Sequence, residues 1–223
     1  MQKYSAPLKE MRFVLEALGY EDKLGSFEAF EIYDLATSMA VLETMNSIAV
    51  DKLLPLNRKG DEEGLKFDPE TATVTLPEGF RDAFQTLADN GLIGLAAPAD
   101  YGGGGAPEAL SVLASEILTA CNKSFSMCPG LSVGLMGALE AHGSEAQKEK
   151  YLTKLISGEW TGTMCLTEPQ CGTDLGLITT TAEPQQDGTY KLNGTKIWIT
   201  FGEHDLADNI IHLVLARLPD APA

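Results

Sequence analysis

Apolar residues recur at spacings of three and four through the first two-thirds of the chain. Leu8, Met11, Leu15 and Leu18 follow Pro7 and stop at Gly19, the spacing of one helix face closed by a terminator. Phe27, Phe30, Leu35, Met39, Leu42 and Met45 continue the pattern and predict a helix over 26–54, halted at Pro55. Residues 57–77 are polar and rich in Gly, Asp and Glu, which predicts a loop with one short hairpin around 71–74. Pro77 suits a first helical turn, and the pattern runs from there to about Asn90, with Gly91 placed as terminator. Further helices are predicted over 108–122, 131–141 and 144–157, the last opened by a capping box of Ser144 and Gln147.

From Trp160 onward the period changes to two, and threonines, β-branched residues and aromatics alternate. Asn193-Gly194 lies between two short candidate strands, a strong hairpin signal, and Asp187-Gly188 marks another turn just before it. A last strand is predicted over 210–216, followed by Pro219 and Pro222. The reading is an α+β chain: an N-terminal all-α helical domain over 1–158, then the first part of a β-barrel or sandwich domain over 159–223. Four short strands with exposed edges are too few to close a barrel.

Composition narrows the function. Hydrophobic residues make up 44% and mean hydropathy is near zero, and no apolar run approaches the roughly 20 residues of a membrane span. The N-terminus lacks a signal-peptide core, so a cytoplasmic protein is expected. Cys121, Cys128, Cys165 and Cys171 show no CxxC spacing and only three histidines exist, so no metal site is expected. A net charge of −16 makes nucleic acid a poor partner. It either serves solubility alone or leaves any anionic ligand to be held by local backbone N–H groups and a few cations.

Two segments of the β portion carry candidate chemistry. Along Thr161-Gly162-Thr163-Met164-Cys165-Leu166-Thr167, alternation puts Thr161, Thr163, Cys165 and Thr167 on one face and Gly162, Met164 and Leu166 on the other. The turn Pro169-Gln170-Cys171-Gly172-Thr173-Asp174 follows, where Gly172 permits close backbone approach and successive N–H groups can form an anion nest. In Lys196-Ile197-Trp198-Ile199-Thr200, read as a strand, Ile197 and Ile199 share the core face while Lys196, Trp198 and Thr200 share the other. Trp198 beside Thr200 reads either as sheet packing or as a wall for a planar heteroaromatic.

Leu166-Thr167-Glu168-Pro169-Gln170-Cys171-Gly172-Thr173-Asp174, with Asn193-Gly194-Thr195-Lys196-Ile197-Trp198-Ile199-Thr200 after it, resembles the paired signature of the acyl-CoA dehydrogenases. Residues 91–103, from Gly91-Leu92-Ile93-Gly94 to Tyr101-Gly102-Gly103, resemble that family's helical-domain loop. The opening stretch from Tyr4 to Leu15 resembles the N-terminal extension of a subgroup with larger chains that includes 3-methylmercaptopropionyl-CoA dehydrogenases. The resemblance implies FAD as cofactor. Met164, Cys165, Leu166 and Thr167 would lie along the flavin, and Gly172 and Thr173 near its pyrophosphate. Thr173 would also approach the acyl-CoA substrate, and Trp198, Ile199 and Thr200 would cover the other side of the flavin. It further implies α,β-dehydrogenation of an acyl-CoA thioester to a 2-enoyl-CoA, electron-transferring flavoprotein as acceptor, and a homodimer or homotetramer. Gln170-Cys171 and Phe201 depart from the family pattern of small residues and asparagine.

The family's catalytic glutamate belongs to a C-terminal bundle, so the base is expected beyond Ala223, none in this chain is assigned that role, and residues 1–223 alone are expected to be inactive. Glu168 reads as a structural hydrogen-bond partner, Asp174 as ordering the cofactor turn, and Cys165 and Cys171 as packing. The Gly102–Gly105 run lacks the Lys-Ser/Thr of a phosphate loop and reads as a flexible turn. An acyl-CoA oxidase, which shares the fold, and a non-catalytic interaction module are the alternatives.

Overall fold

A computed structural model describes residues 3–221. Its helices are α1 (Leu8–Ala17), α2 (Tyr20–Leu24), α3 (Leu35–Ile48), α4 (Leu54–Glu63), α5 (Phe80–Asp89), α6 (Glu108–Cys121), α7 (Lys123–His142) and α8 (Glu145–Ile156). The strands are β1 (Lys66–Asp68), β2 (Thr73–Thr75), β3 (Trp160–Cys165), β4 (Thr181–Pro184), β5 (Tyr190–Asn193) and β6 (Asn209–Val214). Helical layers therefore precede a β-rich part, as the change of period predicts. The helical core is built on the fully buried Leu42, Leu53, Phe84, Leu87, Leu110, Ile117 and Phe125.

Local chemistry sets the helix ends. Ser144 accepts the Gln147 N–H while the Gln147 side chain accepts the Ser144 N–H, the reciprocal cap read from the sequence. Gly91 is left-handed at φ 69° and closes α5, with the Leu92 N–H donating to the Leu87 carbonyl at 3.0 Å. Asp34 accepts the Thr37 N–H at 2.6 Å, so α3 starts there and not at residue 26; Glu28–Phe30 form only a 3-10 turn. Pro55 does not halt the helix. A π-turn over Ala49–Leu53 resets the ladder, Pro55 falls in the first turn of α4 where a missing N–H costs no bond, and Asn122 Nδ2 donates to the Leu53 carbonyl. Residues 57–63, expected as loop, are consequently helical.

Asn122 also caps α7 by accepting the Phe125 N–H at 3.0 Å, so that helix begins eight residues before the predicted start and carries Pro129 inside it. The Gly102–Gly105 run is pinned, not a loose turn. The N–H groups of Gly103, Gly104, Gly105 and Ala106 donate to the carbonyls of Pro98, Gly94, Ala97 and Leu95. A Cβ on Gly103 or Gly104 would stand 2.1 Å from the Ala97 oxygen or 2.4 Å from the Leu95 oxygen.

β3 and β6 pair in parallel, from Trp160↔Asn209 to Cys165↔Val214, and β4 and β5 pair antiparallel. α7 crosses β3 closely enough that a Cβ on Gly162 would meet Leu135 at 2.6 Å, and the Gly162 N–H donates to Ser132 Oγ at 2.9 Å. The opposite face of β3 buries Thr161, Thr163 and Cys165.

Two expectations for the β portion are corrected. The hairpin turn between β4 and β5 sits at Asp187-Gly188, with Gly188 at φ 82°, and Asn193-Gly194 is not a turn between strands. Gly194 instead ends β5 where the chain passes over Thr180, whose Oγ1 would lie 2.3 Å from any Cβ there. Residues 196–200 are not a strand, because Trp198 takes a left-handed backbone at φ 56° and breaks the alternation.

Candidate cofactor-binding site

The end of β3 delivers Met164, Leu166 and Thr167, all half-buried, to the start of a tight turn. Glu168 and Cys171 exchange backbone hydrogen bonds of 2.8 and 3.1 Å around Pro169 and Gln170. The chain doubles back so that a Cβ on Gly172 would lie 3.7 Å from Thr167 Cγ2, leaving Gly172 and Thr173 exposed beside Thr167. Asp174 accepts the Gly176 N–H at 3.2 Å and orders the next turn. From the other side, the Ile197 N–H donates to the Thr167 carbonyl at 3.0 Å. Thr167, Gly172 and Ile197 thus meet at one place, with Thr173 and Trp198 next to them in the chain.

Trp198 is 85% exposed, the most open large apolar side chain described, and is held out by its left-handed backbone. Ile199 and Thr200 are half-buried behind it. The expected facing does not hold: Lys196 is 8% exposed at its side chain while Trp198 is open, so the two do not share a face. Cys165 is also turned away. It is buried beside Thr163 on the far face of β3, so it offers a ligand on the Met164–Leu166 side only its backbone.

Glu168 is the electrostatic centre of the region. Its Oε1 accepts from the Thr180 N–H at 3.1 Å and Lys196 Nζ at 3.0 Å. Its Oε2 accepts from the Thr179 N–H at 2.8 Å, the Thr179 hydroxyl at 2.9 Å and Gln170 Nε2 at 2.7 Å. Burial pushes this carboxyl up, but the hydrogen bonds from Thr180, Thr179, Lys196 and Gln170 outweigh it and hold it well below the usual carboxylate range. With about four lone-pair sites and five donors, Glu168 has no acceptor left to take a substrate proton. Sequence reasoning missed Lys196 as a buried cation. The available signal was scarcity: Lys191, Lys196 and Arg217 are the only lysines and arginines after Lys154.

The donor set suits a planar heteroaromatic with a phosphate tail. It combines an exposed indole, the half-buried Thr167 where Ile197 meets it, Thr200 two residues after the indole in the chain, and exposed backbone at Gly172–Thr173. No free cation is required for the phosphate if backbone N–H groups take it.

Residues 36–159 match the family model of the acyl-CoA dehydrogenase N-terminal domain, and residues 163–222 match that of the middle domain. The chain belongs to the acyl-CoA dehydrogenase family. It is 45% identical to a 3-methylmercaptopropionyl-CoA dehydrogenase of Ruegeria pomeroyi over 98% of this chain and 37% of the relative. It is 35% identical to a butyryl-CoA dehydrogenase of Syntrophomonas wolfei over 99% of this chain and 36% of the relative. The chain therefore spans about a third of the length of the curated acyl-CoA dehydrogenases it matches. Among solved structures, an acyl-CoA dehydrogenase of Bacillus anthracis complexed with FAD superposes with a TM-score of 0.68 at 28% identity, covering 82% of this chain and 29% of that one. Both sequence signatures, the helical order and the N-terminal resemblance agree with this family. Among the described residues, no helix is long and apolar enough to cross a membrane.

Proposed function

We propose that the full-length protein is an FAD-dependent acyl-CoA dehydrogenase that converts an acyl-CoA thioester to its 2-enoyl-CoA. The observation that carries this reading is the exposed Trp198 beside Thr167 and Gly172–Thr173, in a chain of this family. When bound, FAD supplies the acceptor for the hydride from the substrate's β-carbon. Met164, Leu166 and Thr167 flank one side of the flavin, with the Thr167 hydroxyl on its polar edge; Cys165 contributes backbone. Trp198, Ile199 and Thr200 cover the other side and exclude water. Gly172 and Thr173 hold the pyrophosphate through backbone N–H groups, and Thr173 also contacts the acyl-CoA. The chain divides into a helical unit, 1–158, and a β unit from 159.

Residues 1–223 alone turn over no acyl-CoA in this reading, because Glu168, the buried carboxylate of the wall, is saturated by donors. Electron-transferring flavoprotein is the acceptor, the assembly is a homodimer or homotetramer, and the compartment is cytoplasmic, in keeping with four unpaired cysteines. The test is anaerobic addition of an acyl-CoA thioester to purified full-length protein reconstituted with FAD. Bleaching of the flavin absorption, reversed by electron-transferring flavoprotein, is expected. A protein that retains no FAD, or a bound flavin that no acyl-CoA bleaches, overturns the assignment.

A further inference from the structure

The stretch 195–200 has no strand ladder to hold it, although it carries Trp198. It also contains Trp198 at φ 56°, and Phe201 three positions on is left-handed too at φ 52°, a backbone that bulky side chains adopt only under constraint. What constrains it is written in three hydrogen bonds. Lys196 Nζ donates to the Leu166 carbonyl at 2.9 Å and to Glu168 Oε1 at 3.0 Å, and the Ile197 N–H donates to the Thr167 carbonyl at 3.0 Å. Two consecutive residues of one segment therefore grip three consecutive residues of the other. The ion pair is nearly dry, with side-chain exposures of 8% for Lys196 and 1% for Glu168, so removing one partner strands the other as a buried charge.

We propose that Lys196 and Glu168 form a positioning latch that fixes the spacing between the Leu166–Thr167 and Ile197–Trp198 segments before a ligand arrives. This rests on the reading of those segments as the two sides of a cofactor wall. Neither residue touches the ligand. The ammonium, on a side chain 8% exposed, is taken up by the Leu166 carbonyl and Glu168 Oε1, and both carboxylate oxygens are filled. Glu168 extends the latch to the returning chain through Thr179 and Thr180, so one carboxylate ties three segments together. Pre-ordering of this kind lowers the cost of arranging the wall when a ligand binds.

The experiment compares Lys196→Met with Thr179→Val in the full-length protein. The first keeps an unbranched apolar stem and loses the ammonium; the second removes one hydroxyl bond to Glu168 on the side away from 195–200 and keeps the N–H bond. Amide hydrogen exchange in flavin-stripped protein, the FAD dissociation constant, the bound flavin spectrum and thermal melting are read in both. Lys196→Met is expected to speed exchange at residues 197–200 tenfold or more and to weaken FAD binding tenfold or more, with a shifted flavin spectrum. Thr179→Val is expected to lower the melting temperature while leaving exchange at 197–200 and the spectrum as in wild type. Unchanged exchange in Lys196→Met overturns the latch, as does a Thr179→Val variant with the same effects at the same loss of melting temperature. If Lys196→Met does not fold, the neutral pair Glu168→Gln with Lys196→Gln decides: faster exchange at 197–200 supports the latch, and wild-type exchange refutes it. A wild-type protein that holds no FAD refutes the proposed function, while the exchange comparison in ligand-free protein still decides the latch.

Discussion

Thr161 Oγ1 and His204 Nε2 lie 3.0 Å apart in a fully buried hydrogen bond. The Leu206 N–H donates to the other ring nitrogen, Nδ1, at 3.1 Å. Nδ1 is therefore the acceptor, so the ring proton sits on Nε2 and is donated to Thr161. Thr163 on the same face meets His212 Nδ1 at 2.6 Å, so β3 is tied by two histidines to the chain that follows residue 203.

This arrangement predicts a pH dependence. Burial pushes His204 down to about 4, against a smaller upward pull from Asp205 and a further downward push from His212. A depressed histidine contributes stability that is present above its unfolded value near 6.5 and is lost as pH falls toward 4. The urea midpoint should fall across that window, and His204→Gln should be less stable at neutral pH but show a flatter slope there. Glu168 adds a later loss, because its carboxylate must be protonated below its unfolded range. A slope unchanged by His204→Gln between pH 6.5 and 4 removes this histidine as the cause.

The glycines divide by what a methyl group would meet. Gly103→Ala places a Cβ 2.1 Å from the Ala97 carbonyl oxygen, a backbone clash. It should cost about 1–3 kcal/mol in urea denaturation. Gly130→Ala on α7 meets nothing within 4 Å and should gain roughly 0.5–1 kcal/mol from helix propensity. Equal effects of the two would refute the packed reading of the Gly102–Gly105 run.

Trp198→Gly separates backbone strain from the ring's role. Release of the left-handed φ is worth about 1–2 kcal/mol, and the added freedom of the unfolded chain takes back roughly 0.5–1. The flavin-free protein should therefore melt no lower than wild type, while FAD binding weakens. A lower melting point in the flavin-free variant would show that the exposed ring packs on the protein.

How much of this was legible beforehand depended on how local the cause was. The Ser144–Gln147 cap, the Gly91 stop and the facing of Thr161, Thr163 and Cys165 follow from neighbours a few residues away. Pro55 misled because its effect depends on the preceding π-turn and on Asn122, which is distant in sequence. Asn193-Gly194 misled because its glycine answers to Thr180 packed against it, not to a turn. The two signature segments were found as motifs, yet the face that each residue presents was not. A period-two rule does not foresee a left-handed tryptophan, or a lysine drawn inward by a buried glutamate.

The thiols give a fourth expectation. Burial raises Cys128 to about 12 and Cys121 to about 11, and Cys165 and Cys171 are buried as well. Since the thiolate is the reactive form, the native protein should resist a thiol reagent at pH 8 and react fully once unfolded in urea. Rapid stoichiometric labelling of Cys121 or Cys128 in the native state would contradict their burial.

The parallel pairing of β3 with β6 has a consequence in time. Parallel strands need a long connection, and here everything from Leu166 to Asp208 lies between the partners. A chain made from its N-terminus can pack α7 and α8 while β3 still has no neighbour, since the register from Trp160 to Cys165 waits for Asn209–Val214 to be synthesised. Until then the unpaired strand rests on α7, where the Gly162 N–H already has Ser132 Oγ as its partner. The late, long-range step should set the folding rate of this part of the chain, and the helices should gain their protection first.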